Sequence, residues 1–453
     1  MPDKVFDVGA FINRQRLGSA QLMVMLLCAA IMMVDGYDVF VMGFVLLPVA
    51  GSFGVAPAAI APVFLVQSFG LALGSFVVSP LADILGRRRL LLASTVLFGI
   101  FTLATTQASD VNALFALRFV AGLFYGSLIP NAVAITVEYA PERLRATMVN
   151  WMFIGYTAGA ASGGAVAAFL VGRYGWQSAF WVGGLLPLGF AVLLYFALPE
   201  SLRFCVLKDP RDPRIPGLLR RIDRALELTG TEHFVLGERE QGDLPMVELF
   251  TDGRGPITLL IWLAYFMNIL VITVLGAFLP TFLRIFGALS LEHAAAVTSF
   301  YSISGIAAML VYGRLIDLYG APGVITITSI LAAAAVVSLG LIDLQSPWLY
   351  AVTFFVGAGV IAGQGGLHAL SSMTYPTRMR ATGVGWAVSA GRIGGMVGPV
   401  LGIAAFAGHW TALPSFLMAG LPMLAVAVAT FLIGLVPVPT DKPKPRLADD
   451  AIL

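Results

Sequence analysis

The sequence predicts an all-α integral membrane protein: twelve transmembrane helices in two pseudo-symmetric six-helix bundles. Three observations predict it. The 453 residues are 58% hydrophobic and only 11% charged, too little charge to cover a soluble surface of that size. Apolar runs of about 20 residues, the length that crosses a bilayer as helix, recur from end to end. Two loop motifs of the first half return in the second at a nearly constant offset. Backbone polar groups in lipid must be satisfied within their own segment, which favours helices, and no run of short alternating strands suggests a barrel.

The chain begins with a polar arm, "MPDKVFDVGAFINRQRLGS". The apolar run after it, from Gln21 to Ala50, is too long for a signal-peptide core and reads as a retained helix. Breaks at Gly, Pro and charge clusters place the spans near 20–46, 57–81, 89–107, 111–139, 148–171, 176–198, 256–284, 292–316, 322–343, 347–372, 382–406 and 411–437. This divides the chain into a first bundle (1–198), a linker (199–255), a second bundle (256–437) and a tail (438–453). The linker contains "PGLLRRIDRALELTG", whose spacing, Pro start and Gly stop predict one amphipathic helix. It reads as a solvated linker, with contact to anionic lipid headgroups as the alternative. Cys28 lies in an apolar run and Cys205 in a basic loop, so no disulfide is predicted, and no zinc spacing exists.

The basic residues orient the spans. Of the 27 Lys and Arg, Arg118 and Arg392 fall inside spans and Arg173 and Arg284 on one side; the other 23 share the side of the termini. The positive-inside rule then predicts both termini and the linker in the cytoplasm. The repeat agrees with an even split. "SPLADILGR" (79–87) parallels "GRLIDLYGA" (313–321), and "PERLRATMVNW" (141–151) parallels "PTRMRATGVGW" (376–386), at offsets of 234 and 235 residues. Six spans per half in the same orientation imply a pseudo-twofold along the membrane normal, and a protein that can rock one half against the other.

These residues resemble the major facilitator superfamily over nearly the whole chain. Ser79, Asp83, Gly86, Arg87 and Arg88 look like that superfamily's signature loop, with Ser79 where Gly is usual and Ile84 where a basic residue is common. The resemblance implies a cytoplasmic latch formed in one conformation only, at Asp83, Arg87, Glu138, Arg145, Asp317 and Arg380. "DGYD" in span 1, the stretch 118–146 and the stretch 375–399 are together similar to the aromatic acid:proton symporters.

An ionisable side chain inside a span is costly unless paired or hydrated, so each is a functional candidate. Asp35 and Asp38 share one face of span 1 and read as proton-coupling groups. Counting rise from the span ends places Asp35 near the depth of Arg118, and spans 1 and 4 line the cavity in the resembled family. An Asp35–Arg118 pair is therefore expected. A static ion pair that fixes helix packing is the alternative for all three. Arg392, near mid-depth with no acidic neighbour in its span, suits a substrate carboxylate, which a guanidinium holds bidentately. Otherwise it pairs with Asp35 or Asp38. Tyr37 and Tyr125 offer rings to an aromatic ligand, and Asn268 a hydrogen bond to a ring hydroxyl. Gln364 and His368 lie on span 10 and read mainly as packing residues.

The function implied is proton-coupled import of aromatic carboxylates of the benzoate or hydroxybenzoate kind by alternating access. Symport of a non-aromatic acid, export or sensing are the rivals. No G-x-x-x-x-G-K-[ST] loop occurs, so the proton gradient rather than a cofactor or ATP is the expected drive. The expected partners are an organic anion, protons and the bilayer of the bacterial inner membrane. No nucleic acid is expected, and the monomer is the expected working unit. The four His residues are too scattered for a catalytic cluster, which argues against an enzyme.

Overall fold

The computed structural model describes residues 4–228, 232–236, 246–251, 253–375, 379–408 and 410–436. Among them, twelve helices are long and apolar enough to cross a membrane. In order they are Ser19–Phe53, Pro57–Leu85, Arg87–Gln107, Val111–Tyr139, Thr147–Tyr174, Gln177–Ala197, Gly255–Phe286, Leu291–Tyr319, Ala321–Ser338, Trp348–Thr374, Thr382–Ala405 and Ala412–Leu435. Their number and order are those the sequence predicts. The largest difference is span 1, which continues through Pro48 to Phe53 instead of ending at 46. Side-chain caps start two of the spans. Asp110 accepts from the Ala113 N–H at 2.8 Å, and Ser290 from the His293 N–H at 3.2 Å.

Each half repeats the same pairings. Span 1 packs on 5, 2 on 4 and 3 on 6; in the second half 7 packs on 11, 8 on 10 and 9 on 12. Small residues set the approach in matched places. A Cβ on Gly159 would lie 1.9 Å from the Met33 carbonyl oxygen, and one on Gly394 would lie 2.1 Å from that of Phe266. The repeat also extends to backbone shape. Gly86 has φ 95° and ψ 142°, Gly320 has φ 82° and ψ 143°, and each opens the helix that follows. A side chain is strained there, which is why both loops need glycine.

The halves meet through spans 1 and 7, 5 and 8, and 2 and 11. Thr281 donates to the Gly43 carbonyl at 2.8 Å, Ser299 to that of Ala161 at 2.9 Å, and Phe64 packs on Phe278 with centroids 4.8 Å apart. All of these lie toward the span ends opposite the termini. Among the described residues, the hydrogen bonds and ring contact that join the bundles all lie there.

The arm and linker do not float. Residues Lys4–Asp7 (β1) pair in parallel with Glu232–Val235 (β2), and Phe6 packs on Phe234. Arg143 donates to the carbonyls of Asn13 and Gln15 at 3.0 and 2.8 Å. The amphipathic helix spans Arg214–Ile222, starting and stopping earlier than predicted. It stops because Asp223 accepts from the Ala225 N–H at 2.9 Å and from Gln15 Nε2 at 3.4 Å, turning the chain away. Its Ile215 and Leu219 are fully buried in the apolar cluster of the first bundle, so this segment is docked rather than solvated. The last linker residues go with the other half: Thr258 donates to the Leu249 carbonyl at 2.9 Å. Cys28 and Cys205 are both free thiols. The predicted tail, 438–453, lies outside the described residues.

Candidate functional site

Span 1 carries its two acids into different surroundings. Asp38 faces inward within the first bundle. Arg118 Nη2 from span 4 pairs with its Oδ2, and Gln67 Nε2 from span 2 donates to the same oxygen at 2.6 Å. Gln67 also accepts from Arg118 Nε at 3.3 Å, and the guanidinium lies over the Phe180 ring at 5.3 Å. Both charged side chains are wholly buried. Two charges taken out of water stay together only with such added hydrogen bonds.

This corrects the expected Asp35–Arg118 pair. Because span 1 extends to Phe53, the level facing Arg118 lies one turn further from the termini, at Asp38. Gln67 has no charge and escaped the sequence reading; a single amide inside an apolar span is the signal that would have found it. A small cavity of about 40 Å³, room for a water or two, touches Gln67 between spans 1, 2, 7 and 11, with Thr273 and Gly395 on its far wall.

Asp35 is also wholly buried, yet neither of its carboxylate oxygens receives a hydrogen bond. Tyr125 donates only to its main-chain carbonyl, at 3.3 Å. Across the seam, Arg392 lies close enough for the two charges to act on each other without closing an ion pair. Tyr156 of span 5 shares this neighbourhood and interacts electrostatically with both Asp35 and Tyr301 of span 8. The buried Tyr301 hydroxyl has no partner. The seam thus gathers a carboxylate, a guanidinium and an unused hydroxyl from spans 1, 8 and 11. A bare carboxylate in that setting is costly, and a proton or the facing guanidinium removes the cost.

Two predicted ligand rings lie elsewhere. Tyr37 donates to the Ala179 carbonyl at 2.7 Å, wedged against Gly183 between spans 1 and 6. Tyr125 packs on Phe98 at 5.5 Å. Both are buried inside the first bundle rather than at the seam; for Tyr37, the close Gly36 and Gly159 contacts between spans 1 and 5 fix the rotation that turns it inward. Arg118 likewise sits in the interior. Asn268 does lie in the second bundle's core, donating to the Val360 carbonyl at 3.2 Å.

The expected latch residues come together only in part. Arg87 pairs with Glu138 at 2.7 Å, and the Ser201 hydroxyl donates to the same carboxylate. Glu200 accepts from the Arg88 and Ser201 N–H groups, each at 3.0 Å. Asp83 and Asp317 are exposed, and among the described residues no ion pair reaches them. Arg145 Nε is buried without a partner. The side chain of Arg380 lies outside the described part.

Comparison with known proteins fits this architecture. The profile described as Major Facilitator Superfamily matches residues 26–228 and 261–451. The chain belongs to that superfamily. Within it, the chain falls among the aromatic acid transporters. It is 35% identical to the 4-hydroxybenzoate transporter PcaK of Pseudomonas aeruginosa, over 95% of this chain and 96% of that one. It is 35% identical to the gallate transporter of Pseudomonas putida, over 94% and 95%. The benzoate transport protein of Acinetobacter baylyi is 27% identical over 87% and 85%. Among solved structures, a D-xylose-proton symporter superposes with a TM-score of 0.71 at 18% identity, over 93% of this chain and 99% of that one, which shows the shared fold. The chain is therefore a multi-pass membrane transporter and not an enzyme.

Proposed function

We propose that this transporter imports aromatic carboxylates together with protons, by alternating access across a bacterial inner membrane, with both termini cytoplasmic. The observation that carries the reading is Asp35: a buried carboxylate with no hydrogen-bond donor, on the first half, within electrostatic reach of Arg392 on the second. The names of the relatives support the aromatic class; the carboxylate and the guanidinium support the proton and the anion.

Arg392 holds the substrate carboxylate. Once it does, Asp35 loses the positive field that tolerates its charge and takes up a proton. Each ligand therefore raises the affinity for the other. With both charges neutralised the seam closes on the terminal side and opens on the far side, and the cycle reverses. One proton per monoanion is electrically silent, so the pH difference alone drives uptake, about 1.4 kcal/mol per pH unit. The Asp38–Arg118–Gln67 triad fixes span 1 within its bundle while Asp35 titrates. Arg87 and Glu138 form part of a latch on the cytoplasmic face, which Asp83, Arg145, Asp317 and Arg380 complete in the opposite conformation. A single chain contains every part of this cycle, so the monomer is the working unit, and it needs no cofactor beyond the gradient.

The test is uptake of labelled 4-hydroxybenzoate into proteoliposomes with an imposed pH gradient. Asp35→Asn and Arg392→Ala are expected to lose gradient-driven uptake. Full activity in both would overturn the site. Equal accumulation by the parent with the gradient collapsed would overturn proton coupling. Uptake of aliphatic acids alone would overturn the aromatic assignment.

A further inference from the structure

Only Arg173 and Arg284 fall on the face away from the termini, and the structure treats them differently. Arg173 is exposed at the end of span 5. Arg284 lies in the last turn of span 7, half-buried, and its Nη1 is buried with no hydrogen-bond partner. Among the described residues no ion pair reaches it. A charged donor taken out of water and left bare is costly, more so than a neutral one. An anion removes that cost.

The place of Arg284 on its helix says where such an anion would be going. Residues seven or eleven apart on an α-helix lie within about 20° of one face. Arg284 stands seven residues beyond Ala277 and eleven beyond Thr273, and both of those line the cavity between the halves. It therefore continues the cavity-lining stripe of span 7, about 10 Å further from the termini than Ala277.

Span 11 lines the same cavity with Gly395 and Pro399, which stand three and seven residues beyond Arg392. Arg392 thus begins the matching stripe of span 11, about 5 Å nearer the termini than Gly395. Two guanidinium groups bracket one cavity along these spans, Arg284 beyond its outer end and Arg392 before its inner end. Neither closes an ion pair among the described residues.

The closed seam lies between them. Thr281, one turn before Arg284, donates to the Gly43 carbonyl at 2.8 Å, and a Cβ on Gly43 would lie 2.1 Å from the Ala277 carbonyl oxygen. Past this contact the packing ends on span 1: Gly51, about two turns beyond Gly43, is exposed and a Cβ there would meet nothing within 4 Å. Arg284 is therefore at the lip of the seam, partly open to the far side while the seam is shut.

We propose that Arg284 is an outer capture site for an organic carboxylate, engaged before the seam opens and the anion passes along the cavity to Arg392. This rests on the import reading above and adds a second anion site to it. A guanidinium offers a carboxylate two parallel N–H donors. A positive charge at the mouth also raises the encounter rate with an anion, an effect that salt screens.

The experiment measures initial uptake of labelled 4-hydroxybenzoate into right-side-out membrane vesicles with an imposed pH gradient, over a range of substrate concentrations. Arg284→Gln is expected to raise KM on the order of tenfold, the worth of one charge-assisted contact, while the maximal rate changes by less than about twofold. Arg284→Lys keeps the charge and loses the paired donors, so its KM is expected to fall between. The parent's KM should rise with ionic strength more steeply than that of Arg284→Gln.

Charge can also be restored chemically. Arg284→Cys, in a background lacking both native cysteines, is expected to resemble Arg284→Gln. A membrane-impermeant cationic thiosulfonate added from the face away from the termini should return its KM toward the parent's, and an anionic one should raise it further. A parent-like KM in Arg284→Gln would overturn the capture site and leave the import reading standing. So would a lowered maximal rate at unchanged KM, which would assign Arg284 to the conformational change, or equal KM values for the two adducts. A parent that takes up no carboxylate would overturn both readings. If Arg284→Gln fails to fold, the two adducts on Arg284→Cys still decide.

Discussion

Arg118 and Asp38 form a wholly buried ion pair one helical turn from Asp35, whose own carboxylate receives no hydrogen bond. The two acids of one helix face are thereby separated in role. Asp38 has a cation, the Gln67 amide and a static position within the first bundle. Truncating Arg118 to Ala would strand the Asp38 charge, and removing one partner of such a pair costs about 3–5 kcal/mol. Neutralising both in Asp38→Asn/Arg118→Gln is expected to cost less than Arg118→Ala alone. Thermal unfolding of the purified variants in detergent checks the order. A double variant no more stable than the single would remove the argument that an uncompensated charge is what matters.

Gly86 and Gly320 share a left-handed φ, but not their surroundings. A Cβ on Gly86 would lie 2.7 Å from Glu200 Oε2, whereas one on Gly320 meets nothing within 4 Å. Strain at such a φ costs of order 1–3 kcal/mol for a non-glycine residue. Gly320→Ala is expected to show that strain alone. Gly86→Ala adds displacement of Glu200, which accepts from the Arg88 and Ser201 N–H groups. The melting temperature of Gly86→Ala should therefore fall below that of Gly320→Ala by several degrees. Equal melting temperatures would mean that Glu200 moves aside without loss.

The fold was legible because its signals are long and redundant: twelve apolar runs, a one-sided charge distribution and two loop pairs at matched offsets. The buried charges were legible for the opposite reason, since Asp35, Asp38, Arg118 and Arg392 each stand alone in hydrocarbon. What escaped was their pairing. Depth counted from a span end shifts by a turn when the helix continues past Pro48, and that turn exchanged Asp35 for Asp38. Rotation about a helix axis is equally invisible to counting. Tyr37 turned inward and Tyr156 reached the seam because backbone contacts at Gly36 and Gly159 fix that rotation. Gln67 stayed hidden because its amide carries no charge to mark it.

The arm and linker close over Cys205. That thiol is buried, and burial pushes its pKa up to about 11. A thiol reacts as the thiolate, so Cys205 is expected to alkylate far more slowly near pH 8 than a free cysteine of pKa about 8.5. Its rate should go on rising with pH after the rate of a free thiol levels off. Deleting residues 1–15 removes β1, Phe6 and the Asn13 and Gln15 carbonyls held by Arg143. In a Cys28→Ser background that deletion is expected to speed alkylation at least tenfold. An unchanged rate would mean that the linker helices dock without the arm.

Asp212 and Arg214 pin the start of the docked linker helix. Arg214 donates to both carboxylate oxygens, the shorter bond being 2.6 Å, and this hydrogen bonding holds the Asp212 pKa below the ordinary carboxylate value. A lowered folded-state value gives stability that is present above about pH 3.9 and lost as pH falls through the depressed value. Because the Arg214 side chain is 46% exposed, solvent screening keeps the contribution to roughly 1 kcal/mol or less. Hydrogen exchange in Arg214–Ile222, corrected for intrinsic rates, should hold steady from pH 7 to 4 and rise below that. Asp212→Asn should exchange faster at pH 7 and lose that acid-dependent step. The same acid step in the Asn variant would assign it to another carboxylate.

Gly43 sets the closed seam on the face away from the termini. Its carbonyl accepts from Thr281, and a Cβ added to it would lie 2.1 Å from the Ala277 carbonyl oxygen of the other half. Backbone cannot yield as a flexible side chain can, and overpacking of this kind costs about 1–3 kcal/mol. In the proposed rocking cycle, that cost falls only on the conformation in which spans 1 and 7 touch. Gly43→Ala should therefore shift the population toward the opposite conformation, by roughly tenfold for each 1.4 kcal/mol. Ser299, which donates across the same seam to the Ala161 carbonyl, offers a reporter as Ser299→Cys in a background lacking both native cysteines. A membrane-impermeant maleimide added from the face away from the termini should label it faster when Gly43→Ala is present. Gly51→Ala on the same helix, where nothing lies within 4 Å, should leave labelling unchanged. Substrate uptake should slow with Gly43→Ala, since a cycle needs both conformations accessible. Labelling that is equal in the two variants would mean that spans 1 and 7 stay together through the cycle, and the rocking of rigid halves about this seam would have to be abandoned.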